Sequence, residues 1–344
     1  MTRSTNPSPR TRASMADVGR VAEVSAQTVS RFFTGSGYVS APARERIEAA
    51  VAELGYRPNR TARSLRSSRS ETVGVLAMGQ SNYGLWSILG GLSRAARATG
   101  YSLLIAQLDI DTEDAGALAE VRHALDGFLS SRVDGIVVST PFLGTEHLLD
   151  RIWDTLPVVT VSGRPWSGAD AATADSYAAG LLATRHLTGL GHRRILHLAG
   201  PATRIEAVDR NRGYQDALAE HGAEPLPLVR GDWSAASGHA AGLTVDPDAF
   251  TAVFAGNDQM ALGFMSALRS RGFAAPDDYS IVGIDDMPDA RYFAPPLSSV
   301  YLDFTELGAT AFAMIHERIR TGERLERRIV EPVLRAREST APIG

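Results

Sequence analysis

Gln27 and Arg31 stand four residues apart in Ala26-Gln27-Thr28-Val29-Ser30-Arg31-Phe32, a segment whose spacing predicts a short helix with Ala26, Gln27 and Arg31 on its outward face. A glutamine amide can pair two-pronged with the N6/N7 edge of adenine, and an arginine with guanine or a phosphate. The chemistry on offer is the reading of base edges, with Thr28 and Ser30 touching phosphate or steadying the helix. A second concentration follows in Arg57-Pro58-Asn59-Arg60-Thr61-Ala62-Arg63-Ser64-Leu65-Arg66, just ahead of an apolar strand. Catalytic constellations are missing: there is no Gly-x-Ser-x-Gly, no His-Glu-x-x-His and no Walker loop. His192 lies in a Gly-His-Arg turn, and His186 and His197 fit helix and strand interiors. Asp285 and Asp286 are adjacent on a loop with no third ligand at metal-site spacing. The sequence therefore predicts no enzyme, no cofactor and no metal.

The elements that must hold the reading face are three short helices. Met15 to Val24 carries Val18, Val21 and Ala22 on one side; Ser25 is a good N-cap for the segment after it. Two helices broken by a Glu-Val-Ser turn suit a helix-turn-helix, whose second helix enters the major groove. Thr34 to Ser40 forms a loop, and Ser40 is expected to cap a third helix from Ala43 to Leu54, which turns Ile47, Ala50, Val51 and Leu54 inward and ends at Gly55. Charge supports this placement. Residues 1–70 hold twelve arginines against five acids, a net of +7, which leaves −11 for the remainder of a chain of net charge −4. A basic head on an acidic body puts the nucleic-acid footprint in the head.

The 344 residues suffice for two or three domains, and 44% hydrophobic with 22% charged residues fits a globular protein. The absence of cysteine excludes disulfides and agrees with a cytoplasmic location. Residues 1–13 are polar, lack the apolar run of a signal peptide and are expected to be a disordered arm; no apolar run approaches a membrane span. From Thr72 apolar strands alternate with helices. One series is Val73–Ala77, Ser102–Ala106, Gly135–Ser139 and Pro157–Val161; a second is Arg194–Ala199, Ala252–Ala255 and Ser280–Ile284. Helices at Trp86–Gly100, Ala115–Ser130, Ser176–Gly189 and Val208–Gly222 lie between them. Such alternation predicts parallel sheets covered on both faces, and two series predict two subdomains. Ligands of open α/β sheets bind beyond the carboxyl ends of the strands, so two facing sheets would enclose a ligand between them.

The chain resembles the lactose-repressor (LacI) family of bacterial transcription regulators. The matching pieces are Asp17-Val18, Val24-Ser25, Thr28-Val29-Ser30-Arg31, Val39-Ser40, Arg44-Glu45, Leu54-Gly55-Tyr56, Pro58-Asn59 and Ala62-Arg63-Ser64-Leu65-Arg66, in family order and spacing. Gly191-His192-Arg193-Arg194-Ile195, Ala199-Gly200-Pro201, Arg210 to Tyr214, Gly256 to Ala261, Val282 to Asp286 and Pro296 to Phe304 continue the likeness to about residue 338. The resemblance implies a helix-turn-helix head joined by a hinge helix to an α/β, periplasmic-binding-protein-like core of two doubly wound subdomains. Its divisions fall at 14–58 for the head, 59–70 for the hinge and 71–344 for the core. The first subdomain covers about 71–163 and 302–328, the second about 164–301 and 329–340.

The same resemblance implies the sites. DNA contacts fall on Ser25, Ala26, Gln27, Thr28, Ser30, Arg31, Thr34, Val39 and Ser40, and in the hinge on Asn59, Ala62 and Leu65, the last matching a leucine wedge in the minor groove. Thr34 stands where asparagine is common. Arg210, Asn257 and Asp285 match ligand-contacting positions, each able to engage two hydroxyls. Trp233, Phe304, Tyr83 and Trp86 would offer stacking surfaces, and Asp175 a further acceptor. Trp233 could equally be core packing, Arg210 an interdomain ion-pair partner, and Asn257 or Asp258 a helix cap, with capping preferred for Asp258. Ser162 stands where many relatives have aspartate, which removes a charged acceptor. Gly231-Asp232-Trp233-Ser234 resembles the sugar-sensing members, so a small carbohydrate is the expected effector and a purine or other metabolite the alternative. The expected partners are double-stranded operator DNA, that effector and a second copy of the chain; no leucine heptads follow the strand expected over Ile329–Leu334 to make a tetramer.

Overall fold

The computed structural model describes residues 13–57, 69–79, 82–108, 116–139, 152, 155–162 and 170–343, with the side chain of 117 excepted. Residues 1–12 of the expected arm and the hinge segment from 59 to 65 lie outside these residues, as do Gly163 and Arg164. The chain divides into two compact units, Met1–Ser70 and Glu71–Gly344.

Among its described residues the first unit holds three helices: α1 (Met15–Val21), α2 (Ala26–Thr34) and α3 (Ala41–Leu54). Ser14 and Asp17 cap the start of α1 reciprocally. Val18, Ala22, Val29, Ala43, Ile47, Ala50 and Tyr56 close a small core. Helix α1 stops three residues short of the expected Val24 because Glu23 takes a left-handed conformation, φ 54°. Its turn passes so close to α1 that a Cβ on Gly19 would lie 2.7 Å from the Val24 carbonyl. Helix α2 runs two residues further than expected, to Thr34, where Gly35 at φ 66° caps its end. Ser40 sits at the N-cap of α3, but its hydroxyl makes no capping bond; Pro42, in the first turn, has no N–H to satisfy.

In the second unit the elements are β1 (Thr72–Met78), α4 (Tyr83–Ala98), β2 (Ser102–Leu108), α5 (Ala117–Ser130), β3 (Gly135–Ser139), β4 (Val158–Val161), β5 (Asp170–Ala174) and α6 (Ser176–Gly189). They continue with β6 (Ile195–Ala199), α7 (Ile205–Ala219), β7 (Val229–Arg230), α8 (Ala235–Thr244), β8 (Ala252–Ala255), α9 (Asp258–Ser270) and β9 (Ser280–Asp285). The last are β10 (Ser298–Tyr301), α10 (Phe304–Thr321), β11 (Arg328–Val330) and β12 (Val333–Arg335). Two sheets result, ordered β11-β5-β4-β3-β1-β2 and β12-β10-β9-β8-β6-β7. All pairings are parallel except β10 with β12. Each sheet starts a strand in its interior and reverses direction next to it, at β1/β3 and at β6/β8. These are the switch points where open sheets accept ligands.

The chain passes between the sheets after Ala174, between Tyr301 and Phe304, and between Val330 and Val333. This corrects two expectations. Strand β5 and all of β11 belong to the first sheet, so the first subdomain extends to Ala174 and Val330 rather than ending at 163 and 328. The single strand expected over Ile329–Leu334 is two short ones in different sheets, because Pro332 has no N–H for a ladder. Helix α4 begins at Tyr83, not Trp86, since Asn82 caps it by accepting from the Leu85 N–H at 3.0 Å. Helix α7 likewise begins three residues before the expected Val208. Each sheet carries apolar packing on both faces. Among the described residues no helix is long and apolar enough to cross a membrane.

Candidate functional site

The head presents its polar face on α2. Ser25 caps the helix, its Oγ accepting from the Thr28 N–H at 3.1 Å and lying 2.9 Å from the Thr28 Oγ1. Both hydroxyls are thereby engaged in fixing the helix start. Ala26, Gln27 and Arg31 are exposed, whereas Val29 beneath them is buried. Thr28 and Ser30 are half-buried. Thr34 is exposed and donates to the Ser30 carbonyl at 2.9 Å. Val39 is 8% exposed and packs in the small core of the head. Ser40 is half-buried ahead of α3. Asn59, Ala62 and Leu65 lie outside the described residues.

In the core the second sheet's carboxyl edge gathers most of the expected polar residues. Arg210, in the middle of α7, is buried; its Nη1 donates to the Gly256 carbonyl at 2.5 Å, and its Nη2 lies 3.9 Å from Asp285 Oδ1. Its guanidinium stands 5.3 Å from the centre of the Trp233 ring. Its Nε is buried with no hydrogen-bond partner among the described residues. An unsatisfied buried donor costs ~1–3 kcal/mol, so this atom is held where an acceptor would be welcome. Asp285 ends β9 at φ 109°, a left-handed geometry a non-glycine residue adopts only under constraint. Burial pushes its carboxyl up to about 7, against the pull of Arg210 and with a push from Glu206.

Asn257 is the cap of α9: its Oδ1 accepts from the Met260 N–H at 2.9 Å and its Nδ2 donates to the Trp233 carbonyl at 3.0 Å. Asp258, the expected cap, instead lies within the helix, accepting from the Ser299 hydroxyl at 2.6 Å and the Met287 N–H at 2.8 Å. The reason is backbone geometry. Asn257 is extended at φ −152°, as a capping residue must be. Trp233, at φ 76°, is buried, and a Cβ on Gly200 would strike its ring at 2.2 Å. One face of the indole is thus spent on packing. Asp286 is buried, with ion pairs of 2.5 Å to both Arg335 and Arg337 that tie its loop to the end of β12 and the segment after it.

The first subdomain brings an aromatic pair, Tyr83 and Phe304, with ring centres 6.4 Å apart, edge to face. Burial raises the Tyr83 phenol, and the charges of Asp285, Asp286 and Asp258 add to the shift, which puts Tyr83 within their field. Ser162 is buried at the end of β4, its N–H donating to the Ala172 carbonyl. Two expected members stand apart in role. Trp86 is 58% exposed on α4, and Asp175 caps α6 by accepting from the Ala178 N–H at 2.9 Å.

Sequence reasoning missed two residues here. Ser139, at the end of β3, has a buried hydroxyl with no partner among the described residues. Arg204, ahead of α7, is buried and donates to the Met78 carbonyl at 3.3 Å, with Glu206 Oε1 3.0–3.1 Å from its Nη2 and Nε. Nothing in the sequence marks them, because an arginine or serine looks solvated until its partners are known. Among the described residues no group of three or more His, Asp or Glu side chains is placed to hold a metal ion.

The comparisons with known proteins match both units. Residues 14–59 fit the model of bacterial regulatory proteins, lacI family, and residues 184–340 that of a periplasmic binding protein-like domain. The HTH-type transcriptional repressor PurR of Vibrio campbellii is 33% identical over 329 residues, covering 93% of this chain and 95% of that one. Among solved structures, the lac repressor dimer bound to operator and the anti-inducer ONPF superposes with a TM-score of 0.84 at 28% identity, covering 96% of this chain and all of that one. The transcriptional regulator CelR in complex with cellobiose gives 0.70 at 30% identity, covering 95% and 100%. These similar proteins are regulators, not enzymes.

Proposed function

This chain belongs to the LacI family of bacterial regulatory proteins, and on that premise we propose that it is a homodimeric, cytoplasmic repressor whose operator affinity is set by a small carbohydrate held between the two core subdomains. The observation that carries the effector reading is the Arg210–Asp285 pair. Its two groups are buried 3.9 Å apart at the sheet's carboxyl edge, and among the described residues the Arg210 Nε has no acceptor. A ligand with adjacent hydroxyls can accept from the guanidinium and donate to the carboxylate, and the Tyr83–Phe304 pair offers apolar surface to its C–H face. The similarity to CelR with its cellobiose supports a sugar. The similarity to PurR favours a purine as the second reading.

Gln27 and Arg31 read base edges, two heads meet a pseudo-palindromic site, and Asn59, Ala62 and Leu65 engage the minor groove between them. Release or capture of DNA follows the difference in effector affinity between the two forms of the core. A thermal-shift screen of sugars, sugar phosphates and purines tests the effector class. A sugar that stabilises the parent but not Arg210→Ala supports the reading; stabilisation by purines alone replaces it with the second. On the DNA side, Gln27→Ala is expected to cost about 1–3 kcal/mol on the selected operator and far less on random DNA. Equal losses on both remove Gln27 from base reading.

A further inference from the structure

Arg204 joins the two subdomains directly. It precedes α7 on the second sheet's side, and its Nη1 donates at 3.3 Å to the carbonyl of Met78, the last residue of β1 in the first sheet. The reach is prepared at both ends. Glu206, in the first turn of α7, gathers Nε at 3.1 Å and Nη2 at 3.0 Å on one oxygen, which fixes the fork and leaves Nη1 aimed outward. Burial alone would raise the Glu206 carboxyl, but Arg204 and then Arg210 outweigh it and hold it below its ordinary value, so the anchor stays charged. At the receiving end Gly79 turns away at φ 106°, and a Cβ there would lie 2.8 Å from Nη1. Any other residue would crowd the guanidinium out of its seat.

The geometry points to Arg204 as a latch between subdomains, a positioning residue that fixes the separation of the two carboxyl edges and so the shape of the effector site. Met78 ends the strand beside the first sheet's switch point, and α7 carries Arg210 two turns beyond Arg204. One rigid helix therefore links the latch to the Arg210–Asp285 pair. Glu206 also feels Arg210, and Asp285 feels Glu206, so the latch and the pair share one buried field. A ligand drawing on Arg210 or Asp285 changes the charge around the anchor, and closure or opening of the cleft must strain or release the hydrogen bond from Arg204 to Met78.

The inference rests on the effector reading for its consequence, and its test does not depend on finding the effector. The chain has no cysteine, so spin labels can be placed cleanly at Asp126→Cys on α5 and Gln215→Cys on α7, both exposed. Labelled chain is mixed with an excess of unlabelled chain, and the intramolecular distance is measured without ligand. Arg204→Met and Glu206→Gln are expected to lengthen and broaden that distribution while the melting temperature stays near the parent's. Arg204→Lys, which keeps the charge but not the planar fork, should behave like Arg204→Met, and it decides the matter if the methionine variant does not fold. A distribution that superposes on the parent's, with or without lost stability, overturns the latch and leaves the effector reading intact. Absence of any stabilising ligand in the thermal-shift screen would sink the effector reading without touching these distances.

Discussion

Asp285 is placed where its charge is least welcome: buried, at φ 109°, with one arginine at 3.9 Å. With its carboxyl pushed up to about 7, the folded chain keeps a proton between about pH 4 and 7 that the unfolded chain has lost. Stability contributed by this site therefore falls as pH rises through that window. Asp285→Asn, which mimics the neutral acid, is expected to melt above the parent at pH 8, by roughly 2–4 kcal/mol, and to match it near pH 4. Loss of the ligand-induced thermal shift in the same variant would identify this strain as serving binding. His197 behaves in the opposite sense. Burial on β6 lowers it to about 4, opposed by its bond to the Phe254 carbonyl and aided by Arg210 and Arg230. The unfolded chain takes up a proton below about pH 6.5 that the folded chain refuses, so stability is lost as pH falls from 6.5 towards 4, by roughly 3 kcal/mol in all. In urea titrations His197→Leu should flatten that part of the profile; an unchanged slope would assign the acid sensitivity elsewhere. Residue type announced Arg210 and Asp285 only through resemblance. Arg204 and Ser139 were illegible, and the choice between capping and ligand contact for Asn257 stayed open, since burial and partners are properties of the fold.

At the scale of elements, the helices that carry the site pack at backbone contact. A Cβ on Gly180 of α6 would meet the Arg210 carbonyl at 2.2 Å, and one on Gly213 of α7 the Tyr177 carbonyl at 2.3 Å. The same reciprocal arrangement joins α8 to α9 through Gly238 and Gly263, and α4 to α10 through Gly91 and Gly308. Gly180→Ala must move α7 and Arg210 with it, and is expected to cost on the order of 1–3 kcal/mol. Gly189→Ala on the same helix has nothing within 4 Å of its new Cβ and should be neutral or mildly stabilising in the same calorimetric scan. In the head, Ser25→Ala should speed hydrogen exchange across α2, as loss of a cap costs about 1 kcal/mol, whereas Ser40→Ala should leave α3 nearly unchanged. Equal effects would contradict the difference in capping. Periodicity located most helices and central strands, because runs such as Val73–Ala77 and Gly135–Ser139 are buried on both faces. It failed where a short local device overrides the pattern: Pro332 splitting β11 from β12, Glu23 ending α1, Asn82 starting α4 early.

For the whole molecule, the arginine excess of the first seventy residues and the acidic remainder separate the two tasks, gripping DNA and sensing a ligand. The core's two sheets share one strand order, and three crossings tie them, so a ligand between their edges can act on both at once. Its leverage on DNA equals its difference in affinity for the two forms and nothing more. The most direct test is a titration of the full chain against a duplex enriched from a random-sequence pool, with and without the compound that raises its melting temperature. The expected result is a pseudo-palindromic duplex bound far more tightly than its scrambled counterpart at physiological salt, with an affinity that the compound changes about tenfold or more. Equal binding to scrambled DNA, or an operator affinity indifferent to the compound, would contradict a ligand-gated reader of DNA sequence.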